Sequence, residues 1–306
     1  MKVLIVGFGS IARKHYQAII RIEPDAEIIA LRSGLSTQGK EEVSSVFTVS
    51  EAHAFGPYDF AIISNPTFKH IETIRSLLAF NCPLFIEKPL SDTLDHFDVI
   101  NKVITMGIKT YVACNLRFLD SLVYLKNILI KDLTINEVNI YCGSYLPDWR
   151  PGVDYRRSYS VDPARGGGVH LDLIHEIDFT YWLFGNPLSV RSFKSSESSL
   201  DILAPDYANY LLTYGKFSVS ILLNYFRRDP KRTIELVCDQ GTYLVDLLNN
   251  TISLGDSTVY ASDRRIKDTY LSQMEYFINS ILKGNKDQKI INSIGEAHEV
   301  LKICLQ

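Results

Sequence analysis

The sequence has no long hydrophobic run and no excess of basic residues. No apolar stretch approaches the roughly 20 residues needed to span a bilayer. The net charge of −3 comes without a basic cluster, so neither nucleic acid nor a membrane surface has an electrostatic reason to bind. We therefore expect small-molecule partners.

Closely spaced cysteines are also missing. The five cysteines are Cys82, Cys114, Cys142, Cys238 and Cys304. Their odd number and wide spacing favour neither a disulfide framework nor a structural zinc site. No signal peptide is expected either, because the short apolar stretch at residues 3–6 meets glycine at once and no small-residue cleavage site follows. These absences predict a cytoplasmic protein with reduced thiols.

The 306 residues fall into two parts with different patterns of apolar residues. Up to about residue 118, apolar runs at 3–6, 27–31, 60–64, 84–86 and 109–113 alternate with amphipathic patterns at 11–22, 67–80 and 94–106. This alternation predicts a doubly wound parallel sheet with crossover helices. Beyond residue 121, Tyr- and Val-rich runs at 136–145, 207–214, 217–225 and 233–238 predict an open, mostly antiparallel sheet. Helices are expected there at 122–130, 168–184, 268–282 and 293–304, giving an α+β domain.

The turn after the first strand contains Gly7, Gly9 and Ala12. The first glycine permits a tight turn, the second lets a pyrophosphate approach the backbone, and Ala12 allows close contact between helix and strand. The amides of Ser10 and Ile11 then face the phosphates. Since a strand precedes this turn and a helix follows it, we interpret it as a dinucleotide site and not as an ordinary tight turn.

The second strand ends in Arg32 and Ser33. An acidic residue at this position binds the ribose 2′-hydroxyl of NAD, whereas arginine suits the 2′-phosphate of NADP. A solvated surface pair is the alternative. The sequence therefore favours NADP over NAD.

From the change of pattern near residue 120, we assign residues 1–119 to dinucleotide binding and 120–306 to substrate binding and oligomerisation.

Three further features carry candidate chemistry. Lys88 follows the strand at 84–86, at the edge where doubly wound sheets bind ligands, although most lysines at strand ends are only solvated. Asp172 and His175 follow a triple glycine on one predicted helix, where residues three apart share a face, so they can act together in proton transfer. The alternative is a solvated polar face. Placing His170 beside them in a metal site is disfavoured, because the three spacings do not fit one face.

The loop between the first strand of the second half and that helix holds Trp149, Arg150 and Tyr159. Aromatic faces interleaved with guanidinium groups suit a polyhydroxylated or anionic ligand. A surface connection or a subunit contact fits the same pattern.

Five motifs occur in one order along the chain. They are the glycine turn ending at His15, Asn65–Pro66 with His70, Glu87–Lys88–Pro89, Asn115–Phe118, and the triple glycine with Asp172 and His175. Together they resemble the glucose-fructose oxidoreductase and inositol dehydrogenase (Gfo/Idh/MocA) family over most of the chain. The resemblance implies a Rossmann domain, an open-sheet second domain, hydride transfer at a sugar-like secondary alcohol, and homodimers or homotetramers formed through the open sheet.

The resemblance also implies roles for individual residues. Lys88 is expected to contact the reacting hydroxyl, with Asp172 as the acidic and orienting residue and His175 as the proton-transfer residue. The cofactor is expected to contact Gly7, Gly9, Ala12, Asn65, Pro66, His70, Glu87, Lys88 and Asn115. Arg117 joins Lys88, Trp149, Arg150, Tyr159, Asp172 and His175 as a substrate residue. No metal is implied.

Two departures from the family pattern stand out. Ala12 replaces the commoner third glycine, and His175 lies three residues after Asp172 where four is commoner. Glu176 occupies the fourth position, which makes it the alternative proton-transfer residue. The Pro-Asp-Trp-Arg-Pro loop at 147–151 looks like that of members associated with cell-surface polysaccharides or nonulosonate-type sugars. Other functions left open are a non-catalytic NADP-bound sensor, and an enzyme whose tightly held cofactor serves epimerisation or glycoside hydrolysis.

Overall fold

The computed structural model describes residues 1–34, 43–284 and 290–306. Contacts along the chain divide it into two compact units. The first comprises Met1–Cys114 and Tyr270–Leu301, and the second comprises Asn115–Thr269 and Lys302–Gln306. The single boundary predicted after residue 119 does not include this return of the chain to the first unit.

Six parallel strands form the sheet of the first unit. They are β1 (Lys2–Val6), β2 (Glu27–Leu31), β3 (Ser44–Val46), β4 (Phe60–Ile63), β5 (Leu84–Ile86) and β6 (Thr110–Val112). Their spatial order is β3-β2-β1-β4-β5-β6, the doubly wound order of the Rossmann fold. The crossover helices are α1 (Ser10–Ile22), α2 (Val49–Phe55), α3 (His70–Leu77) and α4 (Phe97–Thr105). The side chains of β4 and β5 are all buried, as expected for strands covered on both faces.

Eight strands form the sheet of the second unit. The elements in chain order are α5 (Asp120–Asn127), β7 (Ile135–Tyr145), α6 (Val169–Asp172), α7 (His175–Phe184), β8 (Ser189–Ser195), β9 (Tyr207–Tyr214), β10 (Phe217–Asn224), β11 (Phe226–Cys238), β12 (Gly241–Asp246), β13 (Thr251–Leu254) and β14 (Ser257–Ala261). The spatial order is β14-β13-β12-β11-β7-β10-β9-β8, and only β7 and β10 pair in parallel within it. The predicted fold class, a parallel Rossmann sheet followed by a mostly antiparallel sheet, is confirmed.

The chain then returns to the first unit through α8 (Thr269–Tyr276), which continues as a π-helical stretch at Phe277–Leu282, and through most of α9 (Ile294–Cys304). Phe277 is fully buried. Its ring lies 5.0 Å from that of Phe60 and 5.3 Å from that of Phe85. This aromatic packing explains the return, because one face of the parallel sheet needs an apolar cover that the first 114 residues do not complete.

Several elements differ from the sequence-based assignment. Strand β3, helix α2 and the strands β8, β12, β13 and β14 were not predicted, because they are short or carry mixed polar residues. The single helix expected at 168–184 is two helices, since Leu173 leaves the helical conformation at φ −100°, ψ 31° and α7 begins at His175. In the described ranges, no helix is long and apolar enough to cross a membrane.

Candidate active site

Gly7 makes the turn that follows β1. Its φ of +79° lies in the left-handed region, and its amide donates to the carbonyl of Leu31 at 2.9 Å. A Cβ at this position would lie 2.8 Å from the backbone of Asn65, while the hydroxyl of Ser64 donates to the Gly7 carbonyl at 2.9 Å. Glycine is therefore required both by backbone conformation and by the close approach of the loop after β4.

Gly9 is the N-cap of α1. Its φ of −88° does not itself require glycine, and within the part of the chain that the structure describes nothing lies within 4 Å of a Cβ built there. Space is therefore left above the first turn, where the amides of Ser10 and Ile11 and the positive end of the helix dipole favour an anion. Ala12 is fully buried, as a packing position should be.

Arg32, at the end of β2, lies beside this turn. Its guanidinium carbon is 4.8 Å from the centre of the Phe8 ring, and that of Arg13 is 5.9 Å from the same centre. Among the described residues no hydrogen-bond acceptor reaches the buried Nε of Arg32, while Ser33 is exposed. Phe8 and Arg13 were not among the predicted site residues, although Phe8 belongs to the glycine turn and Arg13 to the first turn of α1.

Asn65 and His70 build the loop after β4. The His70 ring nitrogens lie 2.9 Å from the carbonyls of Pro89 and Asn65, and the Asn65 amide donates to Thr73 at 2.7 Å. Burial lowers the pKa of His70 below its ordinary value, while the hydrogen bonds to the two carbonyls act in the opposite direction. His70 therefore holds the loops after β4 and β5 together. We do not retain it as a direct cofactor ligand, because its side chain is buried.

Glu87 fixes the end of β5. Its carboxylate lies 2.6 Å from Nε2 of the fully buried His15 of α1 and accepts from the backbone amide of Lys88 at 3.2 Å. This hydrogen bond connects α1 to the end of β5, just before Lys88. The Lys88 side chain is half-buried, and it stands at the same carboxyl edge of the sheet as Gly7 and Asn65, where doubly wound folds bind ligands.

In the second unit, Asp172 ends α6 and His175 begins α7. The expectation that they share one helix face is wrong, because the chain leaves the helix between them. Both side chains are nevertheless buried, with 6% and 9% of their surface exposed. The cause of the break is not local in sequence, since residues 173 and 174 are Leu and Ile.

Two tyrosine hydroxyls donate to Asp172, Tyr159 to Oδ1 at 2.8 Å and Tyr225 to Oδ2 at 2.6 Å. Burial raises the pKa of both hydroxyls, and the negative charge on Asp172 raises it further. Tyr159 was a predicted substrate residue. Tyr225 was missed, because nothing in the run after β10 marks one buried aromatic residue as different from its neighbours.

The loop residues Trp149 and Arg150 cover these tyrosines. The indole ring of Trp149 meets that of Tyr225 edge to face at 5.3 Å, and the Arg150 guanidinium lies 5.9 Å from the centre of the Tyr159 ring. Both loop residues remain partly exposed. The loop predicted to bind substrate therefore contacts the residues that hold Asp172.

Two other acidic residues are held in buried ion pairs, so they are not candidates for the proton-transfer role. Glu176 is fully buried and receives two hydrogen bonds from Arg232, at 2.6 and 3.0 Å. Arg117 and Asp178 pair in the same two-pronged way at 2.8 and 2.7 Å. Glu176 is therefore not the proton-transfer residue that its position suggested. The assignment of Arg117 to substrate is dropped, because its side chain is buried and committed to Asp178.

The positions of Asn115 and His170 also indicate structural roles. The Asn115 amide donates to the Thr269 hydroxyl at 2.6 Å, and the residue is buried, which gives it a role in packing this unit. Burial lowers the pKa of His170 to about 4. In the described ranges no group of three or more metal-ligating side chains comes together.

Two family models match the chain. Residues 1–110 match the oxidoreductase family with an NAD-binding Rossmann fold, and residues 129–244 match the C-terminal domain of the GFO/IDH/MocA proteins. The chain belongs to the Gfo/Idh/MocA family of oxidoreductases. The resemblance inferred from the motifs is thus confirmed, and the open cradle above Gly9 fits the dinucleotide that this family binds. No curated protein matches the sequence.

Solved structures share the fold over the whole length. UDP-N-acetylglucosamine 3-dehydrogenase GnnA from Acidithiobacillus ferrooxidans aligns with a TM-score of 0.78 and 20% identity over 100% of this chain and 96% of its own. The WlbA dehydrogenase from Bordetella pertussis, solved with NADH and UDP-GlcNAcA, gives 0.80 and 16% over 99% and 94%. A biliverdin reductase from Synechocystis sp. PCC 6803, solved with biliverdin and NADP+, gives 0.80 and 13% over 99% and 96%. At these identities the likeness establishes the fold.

The two glycines of the turn are expected to respond differently to alanine. Gly9→Ala places a methyl group where a pyrophosphate must approach, so we expect dinucleotide affinity to fall by about tenfold or more, with a small change in melting temperature. Gly7→Ala forces a positive φ on alanine and a 2.8 Å contact with Asn65, so it should lower the melting temperature more. Calorimetric titration with NAD and NADP, and thermal denaturation, measure both effects. Full affinity in Gly9→Ala would show that the dinucleotide does not use this turn.

Proposed function

We propose that this chain is a dehydrogenase or reductase that uses NADP and acts on a secondary alcohol or ketone of a sugar or sugar derivative. The observation that carries the proposal is Asp172, a buried carboxylate held by two neutral hydroxyls beside a partly exposed loop of aromatic and guanidinium groups. Such a loop suits a polyhydroxylated ligand. The two UDP-sugar proteins among the structural neighbours make a nucleotide-activated sugar of surface polysaccharide metabolism our preferred substrate class.

The roles of the residues follow from their chemistry. When bound, the nicotinamide supplies or accepts the hydride. Lys88 of the first unit donates a charged hydrogen bond to the reacting oxygen and stabilises the developing alkoxide. In the second unit, His175 exchanges the hydroxyl proton, since imidazole is the side chain suited to proton transfer near neutral pH. Asp172 supplies the fixed negative charge.

Both catalytic assignments are testable with one panel of substrates. We expect the unaltered protein to turn over at least one of UDP-N-acetylglucosamine, its uronic acid, myo-inositol and free hexoses, followed by absorbance of the reduced cofactor. Lys88→Ala and His175→Ala should each lower kcat about 10²-fold while cofactor binding persists.

The matched control is Glu176→Gln, next to His175. It leaves Arg232 buried without its partner, so the melting temperature should fall, but turnover per folded molecule should stay within several-fold of the unaltered protein. Unchanged turnover in both Lys88→Ala and His175→Ala would remove these residues from the reaction. Tight cofactor binding without turnover on any substrate would instead favour a sensor.

We also propose NADP as the preferred cofactor. Arg32 stands where NAD-specific folds carry an acidic residue, and a second cation, Arg13, lies near the same Phe8 ring. Neighbours of the same fold are solved with NADH and with NADP+, so the local charge at this position is the basis for the choice.

Arg32→Gln should weaken NADP binding by about tenfold or more while changing NAD affinity less than about twofold, because only NADP carries the 2′-phosphate that a guanidinium binds. Arg21→Gln, at the far end of α1, makes the same change in charge and should affect neither affinity. Dissociation constants for NADP and NAD from fluorescence titration measure both effects. Tighter binding of NAD than of NADP by the unaltered protein would contradict the proposed preference for NADP.

Self-association is the last part of the proposal. One row of residues crosses the open face of the second sheet through successive strand pairs: Leu244, Glu235, Asn139, Ser220 and Leu211. The two leucines in this row are 42% and 44% exposed. We propose that this face pairs with a second copy in a homodimer or homotetramer. Sedimentation velocity should show two or four copies, and Leu211→Arg should reduce that number. A monomer at micromolar concentration would contradict the proposal.

A further inference from the structure

Asp172 receives an unusual set of hydrogen bonds for a buried carboxylate. One phenolic hydroxyl reaches each of its oxygens, from Tyr159 at 2.8 Å and from Tyr225 at 2.6 Å. Two donors on different oxygens fix both the position of the carboxylate and the rotation of its plane. Each oxygen also keeps lone-pair capacity for a further donor.

Both donors are neutral and remain protonated. Burial and the charge on Asp172 raise the pKa of each hydroxyl, so neither tyrosine gives its proton to the carboxylate at neutral pH. The neighbouring acids differ, because Glu176 is neutralised by Arg232 and Asp178 by Arg117. Asp172 differs from them in accepting a hydrogen bond from an uncharged hydroxyl at each of its oxygens.

Tyr225 also connects Asp172 to the substrate loop. Its backbone carbonyl accepts from the amide of Leu146 at 2.8 Å, where the short 3-10 helix Leu146–Trp149 begins. Its ring and that of Trp149 meet edge to face. The side chain is fully buried, so Tyr225 is placed to act through Asp172 and not by touching a ligand.

We propose that Tyr225, together with Tyr159, is a positioning residue that fixes Asp172 for the reaction and links it to the loop carrying Trp149 and Arg150. The inference rests on the proposed function, because it assigns the pair a part in the same reaction. Loss of one hydroxyl removes one of the two hydrogen bonds that orient the carboxylate, and a misplaced catalytic group lowers kcat more than substrate affinity.

The test compares Tyr225→Phe and Tyr159→Phe with Tyr214→Phe. The Tyr214 hydroxyl lies in the same unit and donates to the carbonyl of Gly185 at 3.2 Å, so its loss removes a comparable group away from Asp172. With the panel member of highest kcat/KM, the first two variants should lower kcat about tenfold and change KM less than about twofold. Rates are normalised to cofactor-binding sites measured by titration, which corrects for any unfolded fraction.

A double-mutant cycle then shows whether the tyrosine acts through Asp172. In an Asp172→Asn background, which is expected to retain measurable turnover, Tyr225→Phe should cause little further loss, because the group it positions is already altered. Losses that multiply would mean that the hydroxyl acts elsewhere, and kcat equal to that of Tyr214→Phe would mean that it does not act at all. Either result overturns the inference and leaves the proposed function intact. Absence of turnover by the unaltered protein would overturn the proposed function first.

Discussion

The free-energy cost of burying a carboxylate governs how this molecule divides its acidic residues between structure and chemistry. An ionised acid removed from water needs compensating partners. Glu176 and Asp178 are compensated by arginines that hold them with two hydrogen bonds each, so their charge is neutralised within the unit. Asp172 instead accepts hydrogen bonds from two tyrosine hydroxyls, which stabilise its negative charge without themselves carrying a positive one.

The same reasoning explains which parts of the site the sequence could predict. The turn at Gly7 and Gly9 is a local feature, since the conformation and the helix N-terminus that define it lie within a few residues. The partners of the buried acids are remote, because Arg232 lies 56 residues from Glu176 and Arg117 lies 61 from Asp178. A single sequence shows neither pairing. Glu176 and Arg117 therefore seemed suitable for chemistry until their partners were known.

The fold shows a similar limit. Alternating strands and helices predicted the parallel sheet and the mostly antiparallel one, because periodicity reports which face of an element is buried. Periodicity does not report which sheet a later helix covers. Phe277 has the same apolar character whichever unit it packs against, and only its contacts with Phe60 and Phe85 place it in the first. The break between Asp172 and His175 was likewise invisible, since neither glycine nor proline marks it.

Specificity in such a protein has to arise where charge and aromatic surface meet a ligand, because the fold itself serves many substrates. In the first unit that place is the Phe8 ring with Arg32 and Arg13 around it, next to the turn suited to a dinucleotide. In the second it is the loop at Trp149 and Arg150, whose side chains lie on the tyrosines that hold Asp172. An arginine on an aromatic ring is oriented by that ring while its remaining donors can still meet an anion or a hydroxyl. A change of cofactor or of sugar therefore requires few substitutions at these two surfaces, whereas the buried ion pairs of the second unit have to be kept.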